Sequence, residues 1–403
     1  MNIKNLKNNE YFSSRGLRLW LSFKSTGGLP VLFLLLICLP LADQVFKFVQ
    51  PYPLYEKRKL AEKPRLTFRE SLTFLKKYDA YFNDHFPFRN LLIYHNNLIQ
   101  TKVFHTSPVS KTLIGKDGWL FLAKETETRN EVDYFRSLRL FTPGELKHWR
   151  LILRQRREWL RRRGIAYIFM VVPNKSTIYP EYMPSHIRRL HSQSRLDQLL
   201  TSLRQEPDFP VIDLREGLLA AKKTFRVYNK TDSHWNELGA YFAYLEIIKK
   251  LSLTFPDIKV ASLGQFTVES SIRTGGDLAR LISQQKKDFR EQVIRVRPKS
   301  PVHFETVPSA RKLGPNIRVT ITQCSGGTLP TTLMIHDSFV QQLKPFIAPH
   351  FRRIVFIWDW GLHFFKGMIE TEKPKIVIEE MTERSLCDLV PENPPEMADP
   401  EED

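Results

Sequence analysis

The strongest constraint on the fold is the continuous apolar run at residues 165–173, IAYIFMVVP. A strand with one face in water alternates apolar and polar residues. An unbroken run of this length instead predicts a strand that is buried on both faces. Strands of that kind belong to parallel sheets, which need helices on both sides. The run therefore favours an α/β fold with a fully covered sheet.

Strand and helix patterns alternate along the chain after this run. Further strands are predicted at 211–214, 332–337, 353–360 and 375–380, and helices at 195–205, at 236–252, from about 338 and after 360. This alternation predicts a three-layer α/β/α domain with a mostly parallel sheet. The stretch 289–323 breaks the pattern with short β-like runs and several prolines, and it predicts a small inserted β element.

The residues before the first strand have clear local signals. Residues 66–104 have a helical pattern that breaks near 84–87, and 112–123 carry an Asp-Gly pair that is typical of a hairpin turn. Thr142 and Glu145 match a capping box, which predicts the start of a helix.

An apolar segment near the N-terminus predicts a membrane anchor. Residues 26–42, TGGLPVLFLLLICLPLA, carry no charge, and the residues before them are mostly basic. The segment is near the lower length limit for a spanning helix, and the basic flank places the N-terminus in the cytoplasm. A cleaved signal peptide and a buried core helix are the alternatives. The prediction is a single-pass protein of a bacterial inner membrane, with the later residues in the periplasm.

These signals divide the 403 residues into five parts. They are a basic cytoplasmic N-terminus (1–25), the anchor (26–47), a linker and helical juxtamembrane segment (48–104), the α/β domain (105–386) and a disordered acidic tail (387–403).

Charge and cysteine content limit the classes of partner. The net charge is +18 although residues 388–403 hold seven acids and no Lys or Arg, so the rest of the chain is strongly basic. Such a surface suits an acidic glycan or an anionic lipid, and no zinc finger or helix-turn-helix pattern favours nucleic acid. Three cysteines are too few for a disulfide framework or a zinc site, and pairing of Cys324 with Cys387 is left open.

Two short segments carry groups that fit acyl-transfer chemistry. The first is Thr-Asp-Ser-His-Trp-Asn at 231–236, where Asp232 can orient the His234 imidazole and leave its other nitrogen free as a base. An Asp-x-His pair also occurs by chance and suits a metal site. The segment alone therefore does not choose between these roles.

The second segment is Met-Ile-His-Asp-Ser-Phe at 334–339. Ser338 follows a predicted buried strand and precedes a predicted helix, which exposes its hydroxyl at the carboxyl edge of the sheet. Its own backbone N–H can help to hold an oxyanion. The alternative is that Asp337 or Ser338 only caps the helix. Taken together, Asp232, His234 and Ser338 predict a Ser-His-Asp triad on a fold that suits it.

The order of these groups resembles one branch of the SGNH hydrolases. The Asp-Ser-Phe block resembles their nucleophile block, and an Asp-x-His pair that precedes the serine resembles the alginate O-acetyltransferase family of AlgJ and AlgX. Further blocks over roughly residues 75–386 resemble that family: 115–121 (GKDGWLF), 172–180 (VPNKSTIYP), 231–239, 275–278 (GGDL) and 383–384 (ER). One departure is His336, where the family commonly has glycine.

The resemblance implies an O-acetyltransferase that is anchored in the membrane and acts outside the cytoplasm. A multi-span membrane O-acyltransferase partner would supply the acetyl group, and a polysaccharide hydroxyl would receive it. Ser338 would carry the acetyl group, His234 would act as base and then acid, and Asp232 would hold the imidazole. An acetylesterase and a catalytically silent scaffold of an acetylation complex are the alternatives.

Several other residues are implied as oxyanion or substrate contacts. Gly276 and Asn174 are candidates for the oxyanion, and four aromatic residues are candidates for sugar stacking, with core packing as the alternative for each: Tyr179, Trp235, Trp358 and Trp360. No metal or cofactor motif is present in the sequence, and none is expected to take part.

Overall fold

The computed structural model describes residues 28–49, 59–65, 71–282, 289–300, 305–308, 313–314 and 316–395. The helices are α1 (Gly28–Phe46), α2 (Ser71–His85), α3 (Arg89–Lys102), α4 (Glu131–Phe135), α5 (Pro143–Arg161), α6 (Lys175–Ile178), α7 (Arg195–Leu203), α8 (Arg215–Lys222), α9 (Glu237–Ser252), α10 (Asp277–Leu281), α11 (Val340–Ile347) and α12 (Lys366–Glu372). The strands are β1 (Thr112–Ile114), β2 (Leu120–Leu122), β3 (Ala166–Val172), β4 (Val211–Asp213), β5 (Phe266–Thr274), β6 (Arg290–Pro298), β7 (Glu305–Pro308), β8 (Arg318–Gln323), β9 (Thr332–His336), β10 (Arg353–Trp358) and β11 (Ile376–Thr382). The chain divides into two units between Asn96 and Asn97.

The large sheet has the strand order β4-β3-β11-β9-β10-β8-β7. The strands from β4 to β10 in this order are parallel, whereas β8 runs antiparallel to β10 and β7 runs antiparallel to β8. The predicted parallel core is confirmed, and the sheet as a whole is mixed.

Helices cover both faces of this sheet, as the predicted three layers require. On β3, Phe169 and Val171 face the side that α5, α7 and α12 cover, and Met170 and Val172 face the side that α8, α9 and α11 cover. All four side chains are fully buried. This double burial is the reason why the run at 165–173 is apolar throughout.

The predicted inserted element at 289–323 is not a single unit. Strand β6 pairs with β5 in a separate antiparallel ribbon, whereas β7 and β8 extend the large sheet. The Glu237 carboxylate fastens the ribbon to α9, because it accepts the Val296 N–H at 2.7 Å and an Arg295 N–H at 2.5 Å. The pairing partner of each run is a long-range property that local β-like patterns do not specify.

The local signals in the first third of the chain are confirmed. Strands β1 and β2 form the hairpin, and its turn places Asp117 at φ 53° and Gly118 at φ 76°. The Thr142 hydroxyl accepts the Glu145 N–H at 3.2 Å, and the Glu145 carboxylate accepts the Thr142 N–H at 2.8 Å, so α5 begins with the predicted capping box.

The predicted anchor at 26–47 forms the helix α1, whose apolar side chains are mostly exposed. In the part of the chain that the structure describes, no helix combines the length and hydropathy needed to cross a bilayer. The anchor and the division at 104/105 stay predictions. The predicted cytoplasmic segment 1–25 lies outside the described residues.

The prediction of a disordered tail at 387–403 is wrong for the first residues of that range, which contact the α/β domain. The Asp388 carboxylate accepts a hydrogen bond from Arg129 Nε at 3.0 Å, and the Glu392 carbonyl accepts one from Arg156 Nε at 2.9 Å. These contacts tie the first part of the tail to the α/β domain. Residues 396–403 lie outside the described residues.

Candidate active site

The turn before α9 holds the Asp-His pair in one orientation. Asp232 Oδ1 accepts the backbone N–H of His234 at 3.0 Å and lies 2.7 Å from His234 Nδ1, while Asp232 Oδ2 accepts the Asp277 N–H at 3.0 Å. Burial alone would raise the pKa of Asp232, but the His234 ring and these N–H donors hold that pKa well below its usual range. An ionised carboxylate therefore accepts the Nδ1 proton and orients the imidazole.

The other ring nitrogen of His234 meets the predicted serine. His234 Nε2 lies 2.7 Å from Ser338 Oγ, although the two residues are far apart in the sequence. With the ring proton on Nδ1, Nε2 presents a lone pair to the hydroxyl. Burial would lower the pKa of His234, but the hydrogen bond and charge of Asp232, with the charge of Asp277, raise it. The arrangement can take a proton from Ser338 and hold it as an imidazolium.

The turn that carries Ser338 is fixed by Asp337. Its Oδ1 accepts the Phe339 N–H at 2.9 Å, and its Oδ2 accepts the N–H and hydroxyl of Thr382 at 3.1 and 2.8 Å. The Asp337 N–H donates to Glu380 Oε2 at 2.9 Å. Asp337 therefore ties down the start of α11, and the Ser338 hydroxyl is left to face His234.

His336 fits two residues before Ser338 because its ring turns into the core. The ring is fully buried, and its Nδ1–H donates to the Asp337 carbonyl at 2.6 Å. Burial, together with the nearby Lys344 charge, lowers the pKa of His336 to about 3, so the ring is neutral. A histidine therefore fits at this position, where glycine is common in the family that the sequence resembles.

Gly276 and Asn174 differ in what they can offer an oxyanion. The Gly276 N–H already donates to Thr231 Oγ1 at 2.8 Å, so the expected oxyanion role is not available to it. A Cβ on Gly276 would lie 2.4 Å from Asp232 Cβ, so the Gly276 backbone lies too close to Asp232 for a residue with a side chain. Asn174 is fully buried, and its Nδ2 has no hydrogen-bond acceptor among the described residues. Asn174 therefore keeps a donor available.

Tyr179 and Trp235 are core residues, contrary to the expected stacking role. Tyr179 is 4% exposed, and its hydroxyl accepts the Val227 N–H at 2.9 Å. Trp235 is fully buried, and its Nε1–H donates to the Phe339 carbonyl at 3.1 Å. Neither face is open to a sugar, and Trp235 instead ties the His234 turn to the Ser338 turn.

Sequence reasoning missed two side chains that shape the His234 turn. The Asp277 carboxylate accepts the N–H and hydroxyl of Ser233 at 2.7 and 2.6 Å, and its Oδ2 lies 3.9 Å from His234 Nδ1. Lys175 is buried, and its Nζ donates to backbone carbonyls that include the Asp232 carbonyl at 2.6 Å. Both residues lie in the quoted family blocks, and that was the only sequence signal for them.

Among the described residues, Asp232, His234 and Asp277 are the group whose donor atoms lie close enough to share a metal ion. The Asp232 oxygens already accept hydrogen bonds from His234 and Asp277, and both ring nitrogens of His234 are engaged. An ion would have to break the contact between Asp232 and the ring. The donor set therefore fits a hydrogen-bonded triad and does not fit a metal centre.

Replacing Asp277 with asparagine is expected to move the pH dependence of activity. The Asp277 charge helps to raise the pKa of His234, so its removal lowers that pKa. Because the neutral imidazole is the base, the acidic limb of the kcat/KM profile shifts to lower pH. Asparagine keeps one acceptor oxygen, so one of the two hydrogen bonds from Ser233 is lost, and kcat is expected to fall about ten-fold.

The matched control is Asp257→Asn, which removes an exposed carboxylate elsewhere on the domain. It should leave both the acidic limb and kcat unchanged. If Asp277→Asn lowered kcat without moving the limb, the Asp277 charge would have no effect on His234.

Comparison with known proteins identifies relatives of this chain. The profile of the family described as "SGNH hydrolase-like domain, acetyltransferase AlgX" matches residues 112–321, which include Asp232 and His234. The "Probable alginate O-acetylase AlgJ" of Pseudomonas aeruginosa is 30% identical over 168 residues, which are 40% of this chain and 38% of that protein. The protein of the same description from Pseudomonas syringae pv. tomato is 24% identical over 173 residues, 42% of this chain and 40% of that protein. The matched part thus spans about two fifths of these relatives.

Two solved structures also superpose on the chain. Bacillus cereus PatB1 has 16% identity and a TM-score of 0.48, and covers 67% of this chain and 95% of its own. The O-acetyltransferase domain of Pseudomonas putida AlgJ has 18% identity and a TM-score of 0.44, and covers 72% of this chain and 96% of its own.

Proposed function

We propose that this chain, which belongs to the SGNH hydrolase-like family of the acetyltransferase AlgX, is an O-acetyltransferase that acetylates hydroxyl groups of an exopolysaccharide or another cell-envelope glycan. The observation that carries the proposal is the continuous line of contacts from Asp232 through His234 to Ser338, each 2.7 Å long. The similarity to proteins named "Probable alginate O-acetylase AlgJ" supports the choice of an acetyl group and a polysaccharide.

The first half-reaction loads Ser338. Its Oγ attacks the acetyl carbonyl while His234 Nε2 takes the hydroxyl proton, and the Asp232 carboxylate stabilises the imidazolium. The tetrahedral oxyanion then collapses, the acetyl–donor bond breaks, and His234 returns the proton to the leaving group. The product of this half-reaction is an acetyl ester on Ser338.

The second half-reaction transfers the acetyl group to the glycan. An acceptor hydroxyl attacks the ester carbonyl while His234 Nε2 takes its proton, and the Ser338 oxygen leaves with that proton restored. Water in place of the acceptor would give an esterase with the same groups.

The Ser338 N–H and the Asn174 amide are the proposed oxyanion donors. The Ser338 N–H lies at the turn into α11, and Asn174 Nδ2 is a buried donor that lacks an acceptor among the described residues. A buried donor without a partner costs about 1–3 kcal/mol, and an oxyanion would satisfy it only during the reaction.

The proposed setting is the periplasmic face of a bacterial inner membrane. The uncharged segment 26–42 and its basic upstream flank support a single anchor, and a multi-span membrane O-acyltransferase is the proposed acetyl donor. A reporter that works only outside the cytoplasm, fused after Asp403, is expected to be active. Activity of a reporter that works only in the cytoplasm would contradict this setting.

The function is tested by trapping the acetyl-enzyme. The purified chain is mixed with 4-nitrophenyl acetate, quenched and digested, and the peptide containing Ser338 is expected to gain the mass of one acetyl group. An oligosaccharide acceptor should discharge this ester faster than water does. An acetyl group that never resides on Ser338 would reject the proposed mechanism.

A further inference from the structure

We propose that Trp358 and Trp360 form the platform on which one pyranose ring of the acceptor glycan stacks beside Ser338. The inference rests on the proposed function, because it names the place of the acceptor in that reaction. Indole faces pack well against the apolar C–H face of a sugar ring, and the polar edge of the ring stays free for hydrogen bonds.

The position of Trp358 follows from the register of the sheet. Trp358 ends β10 opposite His336, which ends β9 two residues before Ser338. Neighbouring strands lie about 4.8 Å apart. The centroids of the His336 and Trp358 rings are 5.9 Å apart. Trp358 comes two residues after Phe356 on β10, so both side chains lie on the same face of the sheet. Phe356 packs on the face that α11 covers. The indole therefore lies beside the turn that carries the nucleophile.

Exposure separates these two tryptophans from the others. Trp360 is 36% exposed and Trp358 is half-buried, whereas the remaining tryptophans of the described residues are at most 2% exposed: Trp119, Trp149, Trp159 and Trp235. The centroids of the two indoles are 6.1 Å apart with their planes at 53°. The two rings are therefore neighbours at the carboxyl end of β10, and the Trp360 ring is the more accessible of the two.

The loop that carries Trp360 is held rigidly. Asp359 Oδ1 accepts the Gly361 N–H at 3.1 Å, and Oδ2 accepts the His363 N–H at 2.9 Å. Leu362 is held at φ 55°, a conformation unfavourable for leucine, and its carbonyl accepts a hydrogen bond from the buried Arg156 at 2.5 Å. A loop fixed at this cost is typical of a surface whose shape serves binding.

A cation beside the indoles adds polar recognition. The Arg318 guanidinium lies 5.9 Å from the Trp358 ring centroid, and Arg318 is exposed. Its N–H groups can donate to hydroxyl oxygens on the edge of a stacked sugar. The combination of two indoles and one guanidinium fits a pyranoside better than it fits an apolar partner.

The test measures binding separately from catalysis. In the full chain carrying Ser338→Ala, calorimetry gives the Kd for two probes, a β-linked mannuronate hexasaccharide and chitohexaose. Adding Trp360→Ala is expected to raise the Kd of the bound probe about ten-fold, because one aromatic stacking contact is lost. Trp360→Phe should recover most of the affinity, and Phe104→Ala, which removes an exposed aromatic ring after α3, should have no effect.

The outcomes separate this inference from the function. An unchanged Kd in Trp360→Ala, or no binding of either probe, overturns the platform even if Ser338 becomes acetylated. Weakened binding supports the platform, and the absence of acetyl-Ser338 in the wild-type chain would then reject only the proposed function.

Discussion

Replacing Ser338 with alanine is expected to lower kcat/KM for 4-nitrophenyl acetate and for acetyl transfer by about 10³-fold or more. The reason is that Ser338 Oγ is the atom that His234 Nε2 faces at 2.7 Å. Folding should be preserved, because Asp337 rather than the Ser338 hydroxyl ties down the start of α11. The measurements are initial rates of both reactions and the thermal unfolding midpoint.

His234→Ala should cost about as much as Ser338→Ala, and the double variant should be no worse than either alone. Residues that act as one unit show this non-additivity, because removing one already disables the other. A double variant that multiplied the two losses would mean that His234 and Ser338 act in separate steps. Full activity of Ser338→Ala would reduce Ser338 to a turn residue and favour the scaffold alternative.

Replacing Arg156 with methionine is expected to lower the free energy of unfolding by about 3–5 kcal/mol. Arg156 is fully buried and donates to the Glu379 carboxylate and to the Leu362 and Glu392 carbonyls. Glu379 also accepts the Tyr167 hydroxyl at 2.6 Å, and it would be left as an uncompensated buried charge. Urea denaturation measures the change.

Two further variants identify the origin of this loss. Arg156→Met with Glu379→Leu should recover much of the stability, because it removes the orphaned charge together with its partner. Arg161→Met is the control on the same helix, since the Arg161 side chain is 68% exposed and pairs with Glu158, and it should change stability little. A double variant as unstable as Arg156→Met alone would show that packing rather than charge sets the cost.

The elements of the α/β domain could be read from the chain because their signals are local. The run at 165–173, the predicted strand at 332–337 and the capping box at Thr142 each depend on neighbouring residues, and all three formed where expected. The strand-pairing partners of residues 289–323 could not be predicted in this way. Each of its short runs could pair with several partners, and long-range packing chose β5 for one run and β10 for another.

The same division applies to the candidate site. The residue types of the triad, and the turns that expose them, are visible in two short segments, so Asp232, His234 and Ser338 could be proposed without a structure. Their mutual distances could not, and neither could the contacts that Asp277 makes with Ser233 across 44 positions of sequence. Hydrogen-bond partners of this separation arise only when the sheet brings the loops together.

The aromatic residues show most clearly what the sequence alone determined and what only the tertiary structure decided. The sequence placed Tyr179 and Trp235 in short motifs and Trp358 and Trp360 at the end of a predicted strand, and nothing local distinguishes a buried aromatic ring from an exposed one. The fold buried Tyr179 and Trp235 in the core beside the turns that they hold. It left Trp358 half-buried and Trp360 exposed at the carboxyl end of β10. Secondary structure follows from the periodicity of neighbouring residues, whereas exposure depends on which distant elements pack above a side chain, and only the assembled fold determines that.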